Sequence, residues 1–245
     1  MFRIERLGET GSTNDDAQRL LGEPGGAGLA IVADYQHTGR GRRAARAWIA
    51  PPGCGLLFTT ILPEVMHVRG LHALPFWVAL AVADAIEDAA GLRVDLQWPN
   101  DLLLGGAKVA GILCISRISG DDAWVGCGAG VNVHRPHGER ALAAIAPPPA
   151  FLDDAAAHAS RDVLLAATLA AYERRLHELA RPEALARAWE RRAGLEGTPY
   201  RLHVDGEAAP FDAVARRIAP DGGLVVVRDG RERTIALADA RVLRD

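Results

Sequence analysis

The heptapeptide GGAKVAG, residues 105–111, carries the only lysine of the chain: of 28 lysines and arginines together, 27 are arginine. On a solvated face the two residues do similar work. They part where a compact, rotatable, strongly hydrated ammonium must meet charge in a tight space, because guanidinium is larger, planar and fork-shaped. Lys108 is therefore a candidate for chemistry, although taken alone it is also what biased codon usage with one survivor would leave. Between Gly39 and Trp48 stand Arg40, Arg42, Arg43 and Arg46 with no acid among them. Glycines let the backbone approach a ligand, and arginine forks take phosphate or carboxylate oxygens two at a time. This loop reads as an anion cover or, alternatively, as a solvated basic surface. It is neither a GxxxxGKS/T phosphate loop nor a dinucleotide fingerprint, which needs a third glycine at the right offset.

QWPND, residues 97–101, sets Asn100 and Asp101 just past a strand end, where side chains project into the crevice of an open sheet; ordinary turn chemistry accounts for the same residues. A hairpin through Gly105-Gly106 changes the balance, since it folds Asp101 and Lys108 back toward each other. Strand alternation puts Lys108 on one face with Ala110, Ile112 and Cys114, where an unpaired ammonium is costly and needs an anionic partner or ligand. A purely structural ion pair also satisfies that need. Gly111, Gly128 and Gly130 weaken their strands unless a flat ring lies against the backbone; a bulge or close strand packing is the other reading. His134 and His137 lack zinc-site spacing, and no GxSxG elbow occurs.

The elements that must position these residues are legible in outline. GSTNDDAQRLLG reads as a helix start with Thr13 capping, Asp16 three residues on, Leu20 and Leu21 on the buried side and Gly22 ending it. LAIVADY (29–35) and LLFTTIL (56–62) are apolar runs of strand length, the first as expected for a strand covered on both faces. Residues 71–90 form a largely apolar helix deep in the core, with Pro75 in its first turn. VDLQW (94–98) and KVAGILCIS (108–116) read as strands joined across PNDLLLGGA, and WVGCGAGVNV (124–133) as a glycine-rich strand. Two helices follow, about 162–180 and 182–193, the second opening at Pro182. From Leu195 the texture changes to YRLHV, FDAVARRIA, GLVVV and RTIAL, separated by DG, PDGG and RDG, as in a small antiparallel barrel. A boundary near 194 follows, dividing 1–193 from 194–245.

At 245 residues the chain buries a sizeable core in one large domain or a large and a small one. A formal net charge of −3 and a pI near 6.2 do not point to nucleic acid or an anionic membrane. Cys54, Cys114 and Cys127 are odd in number, lack CxxC spacing and sit in apolar segments, which fits a reducing cytoplasm. The N-terminus has no apolar signal core, and the apolar stretch at 76–86 is interrupted by Asp84 and Glu87 and is too short to span a bilayer.

Taken together, GSTND (11–15), ADYQHTGRGRR (33–43), QWPNDLLL (97–104), AKVAGIL (107–113) and GAGVNV (128–133) resemble, in order and spacing, the biotin protein ligases, also called biotin–acetyl-CoA-carboxylase ligases. The resemblance covers nearly the whole chain. It implies an α+β fold, a mixed sheet with helices of the class II synthetase-like kind, followed by a small C-terminal antiparallel β-barrel. It implies a two-step reaction with biotin and ATP as substrates and Mg²⁺ as companion: biotinyl-5′-AMP forms with release of pyrophosphate, then a lysine of a carboxylase's biotin carrier domain takes the biotinyl group. Lys108, Arg42 and Asp101 are then the catalytic residues, with Lys108 between two anions and Asp101 either near Mg²⁺ or steering the incoming amine. Ser12, Thr13, Gln36, Gly39, Arg40, Gly111, Gly128 and Gly130 match biotin-binding positions. Arg40, Arg42, Arg43, Trp48, Lys108 and Asn132 match nucleotide-binding positions, Asn132 toward adenine and Trp48 beneath a loop, Gly39 to Arg43 with Gly41, that orders over the ligand.

Three departures stand out. The family commonly runs GRGRRGR and reaches tryptophan after one more residue, whereas GRGRRAARAW has alanines for glycine and an additional residue. Gln97 stands where lysine usually precedes WPND, and Ile115 where an acid is common. A lipoate- or octanoate-attaching enzyme shares the general fold and is the rival enzyme. A nucleic-acid-binding module is the rival of another class, against which residues 194–245 count 8 arginines and 9 acids. With the family's segments beginning at Ser12, no DNA-binding helix-turn-helix and no operator binding are expected. The carrier's identity, and a monomer or a homodimer, stay open.

Overall fold

The computed structural model describes residues 2–43, 47–137, 145–155 and 159–243. Its larger sheet has eight strands: β1 (Arg3–Thr10), β2 (Leu29–Gln36), β3 (Gly55–Ile61), β4 (Met66–His67), β5 (Asp95–Gln97), β6 (Asp101–Leu104), β7 (Ala107–Ser119) and β8 (Asp122–Asn132). They run in the order β1-β2-β3-β8-β7-β6-β5, with β4 pairing to β8. β1 and β2 are parallel and the other pairs antiparallel, so the sheet is mixed as the resemblance implies.

Both faces are covered. Alternation along β2 sends Ala30 and Val32 to a large core and Leu29 and Ile31 to a small one under helix α1 (Thr13–Leu20). On the large-core face lie α2 (Leu74–Ala90), α3 (Arg161–Arg175) and α4 (Pro182–Ala193). Eleven of the 17 residues of α2 are buried, because it is apolar all round and packs between sheet and helices rather than on a surface. Trp77 stacks on Tyr172 with ring centroids 4.5 Å apart and donates Nε1–H to the Arg175 carbonyl at 2.9 Å. Truncating such a side chain to alanine costs about 3–5 kcal/mol. With the 3-10 turn Val68–Ala73 ahead of it, the helical run Val68–Ala90 has 23 residues, long and apolar enough by length and composition to cross a membrane, contrary to the sequence reading of a shorter stretch. Its apolar surface is spent inside the fold, with Phe76, Trp77, Val78 and Ile86 fully buried.

Other differences from the sequence reading have local reasons. Ser12, not Thr13, is the N-cap: its carbonyl accepts from the Asp15 and Asp16 N–H groups, while Thr13 turns its N–H and hydroxyl to Gln36. The segment PNDLLLGGA is not a plain connection; it contains β6, which pairs with both β5 and β7, so the Gly105-Gly106 turn joins β6 to β7. The helix expected over 162–180 is α-helical to Arg175 and continues as a 3-10 turn, Leu176–Ala180.

The C-terminal residues form a second antiparallel sheet of β9 (Pro199–Val204), β10 (Phe211–Ile218), β11 (Leu224–Arg228), β12 (Arg231–Ile235) and β13 (Ala240–Leu243), in the order β12-β11-β10-β9-β13. It is tied to the first unit through a shared core: Leu202, Leu224 and Ile235 belong to the same buried cluster as Trp77. Trp98 makes the polar join, donating Nε1–H to the Gly222 carbonyl at 3.1 Å and its backbone N–H to the Tyr200 hydroxyl at 3.3 Å.

Candidate active site

A cavity of about 480 Å³ opens on the α1 face of the larger sheet, lined by Arg40 to Arg43 and by Ala47 and Trp48, with β13 supplying part of its wall. Lys108 reaches it because β7 is bulged. Leu102 pairs with Ala110 but Leu103 with Lys108, which leaves Val109 as an extra residue. Strand alternation alone would set Lys108 with Ala110, Ile112 and Cys114; the bulge reverses the parity, so those three pack toward the helices while Lys108 shares the cavity face with Gly111. A Cβ on Gly111 would lie only 3.0 Å from Lys108 Nζ.

The ammonium is held. Nζ sits 2.6 Å from Asp101 Oδ1 across the hairpin, with side chains 30 % and 14 % exposed, and 5.4 Å from the centroid of the Trp48 ring. Behind it the Lys108 carbonyl accepts from the Ala150 N–H at 2.9 Å and from Asn132 Nδ2 at 3.4 Å. Asn132 also donates to the Ala150 carbonyl at 3.1 Å, so its amide pins the backbone that carries the lysine. Asn100 donates Nδ2–H to the Ile112 carbonyl at 2.6 Å and accepts from the Ile112 N–H at 2.9 Å, which sets the start of β6 against β7.

At the α1 end a polar network forms the cavity wall. Gln36 Oε1 accepts from Thr13 N at 2.8 Å and Thr13 Oγ1 at 3.1 Å. The buried Thr59 hydroxyl lies 2.9 Å from Thr13 Oγ1 and 2.8 Å from Asn14 Oδ1, and Asn14 donates to the Leu113 carbonyl at 3.3 Å. The glycines lie where ring atoms and amides press on the strands. A Cβ on Gly130 would fall 2.5 Å from Trp48 Cε2 and one on Gly111 2.8 Å from Trp48 Cζ3, while one on Gly128 would fall 2.4 Å from Asn14 Oδ1. A flat ring does lie against the glycines, and it is the protein's own indole. Its Nε1–H is buried with no hydrogen-bond acceptor among the described residues.

The arginine loop is closed at its neck, where Arg40 bridges Ala47 and the Trp48 N–H donates to the Gly39 carbonyl at 2.9 Å. Ala44, Ala45 and Arg46 lie outside the described residues. Arg40 pairs with Asp15 at 2.9 Å. Arg42 donates to the carbonyls of Leu237 and Ala240, and Arg43 to both oxygens of Asp205 at 2.6 and 2.8 Å, so the loop is fastened to the C-terminal sheet. Burial, then the adjacent Arg43 charge, holds Arg42 below the ordinary guanidinium range, with Asp101 and Asp205 opposing.

Of the residues singled out from the sequence, Ser12, Thr13, Gln36, Arg40, Arg42, Arg43, Trp48, Asp101, Lys108, Gly111, Gly128, Gly130 and Asn132 all line this cavity. Gly39 does not: it is buried under the loop neck, where a Cβ would meet the Trp48 carbonyl at 2.4 Å. Asn14, Thr59 and Arg241 line the cavity and were not singled out. Thr59 had a signal, a hydroxyl in the middle of the apolar run LLFTTIL, which demands a partner when buried. Arg241 had none, being one arginine among 27. No group of three or more His, Cys, Asp or Glu gathers as a metal cage among the described residues; Asp101 offers one carboxylate at the cavity wall.

Residues 10–132 match the biotin/lipoate A/B protein ligase family. The chain is 36 % identical over 125 residues to the bifunctional ligase/repressor BirA of Bacillus subtilis, and 39 % identical over 157 residues to the biotin–[acetyl-CoA-carboxylase] ligase of Paracoccus denitrificans. These alignments take in 51 % and 62 % of this chain; it spans 38 % and 64 % of the lengths of those two proteins, less than two thirds of either. In fold it is similar to the Aquifex aeolicus biotin protein ligase solved with biotin and ATP, with a TM-score of 0.77 over 100 % of both chains at 23 % identity.

Proposed function

The chain belongs to the biotin/lipoate A/B protein ligase family, and from that premise we propose that it activates biotin with ATP to biotinyl-5′-AMP and transfers the biotinyl group to a lysine of a carboxylase's biotin carrier domain. The observation that carries the proposal is the lone lysine in the cavity, its Nζ 2.6 Å from Asp101 and its backbone fixed by Asn132.

The first step brings two anions together. At 4 Å and an effective dielectric near 20, two unit charges repel by about 4 kcal/mol. An ammonium already held between the two binding regions offsets that repulsion without reorganising as the reaction proceeds. The carboxylate oxygen bonds to the α-phosphorus, the bond from that phosphorus to the bridging oxygen breaks, and pyrophosphate leaves with the electron pair. Ser12, Thr13, Asn14 and Gln36 form the polar end suited to a small ring rich in N–H and C=O groups. Trp48 and the arginine loop form the nucleotide end and exclude water from the anhydride. Asp101, a carboxylate on the cavity wall, would hold a Mg²⁺ that accompanies the phosphates of ATP, the ion supplying charge neutralisation there. The three free cysteines support a reducing, cytoplasmic setting.

The test is incubation of the full chain with biotin, Mg-ATP and an apo carrier domain, followed by mass spectrometry. A gain of one biotinyl group is expected, with no gain when lipoate or octanoate replaces biotin. Lipoyl transfer without biotinyl transfer would sink the proposal.

A further inference from the structure

Two cysteines that the reaction does not use stand opposite each other in the sheet that carries the site. β7 pairs with β8 so that Cys114 faces Cys127, and the next pair along is Leu113 with Gly128. Directly opposed residues of an antiparallel pair project from one face with Cα atoms about 4.5 or 5.5 Å apart, and both spacings lie inside the span of about 4.4–6.8 Å that a disulfide bridges. Both thiols are free and lie on the helix side of the sheet, Cys127 buried and Cys114 partly exposed. They interact: the Cys114 thiol first, and burial second, push the Cys127 thiol well above its usual range. Two hydroxyls border the pair. Thr60 of β3 stands opposite Cys127 on the other side of β8, and Tyr172 of α3 is pushed up by burial and then by the two thiols. Both hydroxyl oxygens are buried with no hydrogen-bond partner among the described residues, whereas buried polar groups in native proteins are nearly always paired.

We propose that Cys114 and Cys127 form a reversible disulfide under hydrogen peroxide, and that this bond weakens binding at the polar end of the cavity. The second part rests on reading the cavity as a biotin and ATP site. Cys114 is the thiol that peroxide reaches. Its sulfur bonds to one peroxide oxygen, the O–O bond breaks, and the other oxygen leaves as water with the thiol proton, giving a sulfenic acid. The unspent Tyr172 hydroxyl is a donor for the new oxygen. The Cys127 sulfur then bonds to that of Cys114, the S–O bond breaks, and a second water carries off the sulfenic oxygen with the Cys127 proton. Two thiols are oxidised and one peroxide is reduced to water. A disulfide holds its Cβ atoms about 3.8 Å apart, against about 4.5–5.5 Å for an opposed pair, so closing it draws β7 toward β8. The neighbouring pair has no slack: a Cβ on Gly128 would lie 2.8 Å from the Leu113 carbonyl and 2.4 Å from Asn14 Oδ1. Asn14 donates to that carbonyl and accepts from Thr59, so the shift enters the polar network through Asn14.

The full chain is treated with hydrogen peroxide, alkylated and digested with trypsin, which cuts between the two cysteines at Arg117. Mass spectrometry should find the two flanking peptides joined through Cys114 and Cys127 and separated again by dithiothreitol, with Cys54 alkylated throughout. Isothermal titration should show biotin affinity falling by about tenfold on oxidation and returning on reduction, an ordinary size for coupling between two sites, while ATP affinity changes by less than about twofold. Cys114→Ala and Cys127→Ala should each lose both the link and the response to peroxide, and agreement between the two guards against a folding defect in either. No link, a link through Cys54, or a link that leaves biotin affinity unchanged overturns the inference. A reversible Cys114 to Cys127 link in a chain whose reduced form does not bind biotin would uphold the disulfide and sink the biotin reading.

Discussion

Lys108 and Asp101 face each other across a two-glycine hairpin, Nζ to Oδ1 2.6 Å, and they meet in the cavity because one extra residue, Val109, turns the lysine to that side of β7. The pair keeps the ammonium in place before any anion arrives. Lys108→Arg carries a planar fork that does not fit against Gly111, and Lys108→Ala carries no charge. Both should lower biotin-dependent pyrophosphate release by about 10²–10³-fold, the usual loss for a positioned electrostatic stabiliser, without loss of thermal stability. A near-normal rate in either variant would remove Lys108 from the reaction.

The packing of Trp48 on Gly130 gives a steric prediction. Alanine at Gly130 must displace the indole, since its Cβ would lie 2.5 Å from Trp48 Cε2 and 2.7 Å from Nε1. Overpacking of this kind costs about 1–3 kcal/mol. The expected result for Gly130→Ala is a lower Tm and weaker ATP binding, both measured by thermal shift, whereas Gly8→Ala, with nothing within 4 Å of the added carbon, should change neither. ATP binding by Gly130→Ala equal to wild type would mean that Trp48 has no part in it.

How far the chain could be read before its structure depended on the range of each signal. Apolar runs such as LAIVADY and the helix around Trp77 were legible because burial on both faces writes itself into composition. The cavity residues were legible as segments. What escaped was written elsewhere or nowhere. β1 is an edge strand with six of its eight residues exposed, so RIERLGET lacks an apolar face to betray it. The bulge at Val109 has no local signature, and it reversed the face assigned to Lys108. Arg42 meets carbonyls 195 and 198 residues away, a pairing that only the docking of the second sheet creates.

Thr59 tests whether the α1 network serves binding. Its hydroxyl is fully buried against Thr13 and Asn14, so Thr59→Val keeps the shape of the side chain and removes the single O–H that the Thr13 hydroxyl and the Asn14 carbonyl oxygen share. A cost of about 1–3 kcal/mol in stability is expected. Because Thr13 and Asn14 line the cavity, biotin affinity by titration should fall by at least tenfold while ATP affinity holds. Equal losses for both ligands would make Thr59 a packing residue only.

The segment behind Lys108 carries a pH prediction. Asp154 accepts from Arg135 Nε and Nη2, each at 2.6 Å, and from the Phe151 N–H at 2.8 Å, and the Arg135 hydrogen bonds foremost hold its carboxyl below the ordinary carboxylate range. A carboxyl depressed in the folded state contributes stability in full above its unfolded pKa of about 3.9 and loses it as pH falls through the lower folded value. Asp154→Asn removes that contribution at neutral pH. Its Tm should therefore lie below wild type from about pH 5 upward, and the two curves should converge on acidification. Phe151 lines the cavity and the adjoining Ala150 N–H bonds to the Lys108 carbonyl, so adenylate formation by the variant should fall at neutral pH as well. Curves that stay parallel down to pH 2 would show that the Arg135 to Asp154 pair does not set the acid sensitivity of this wall.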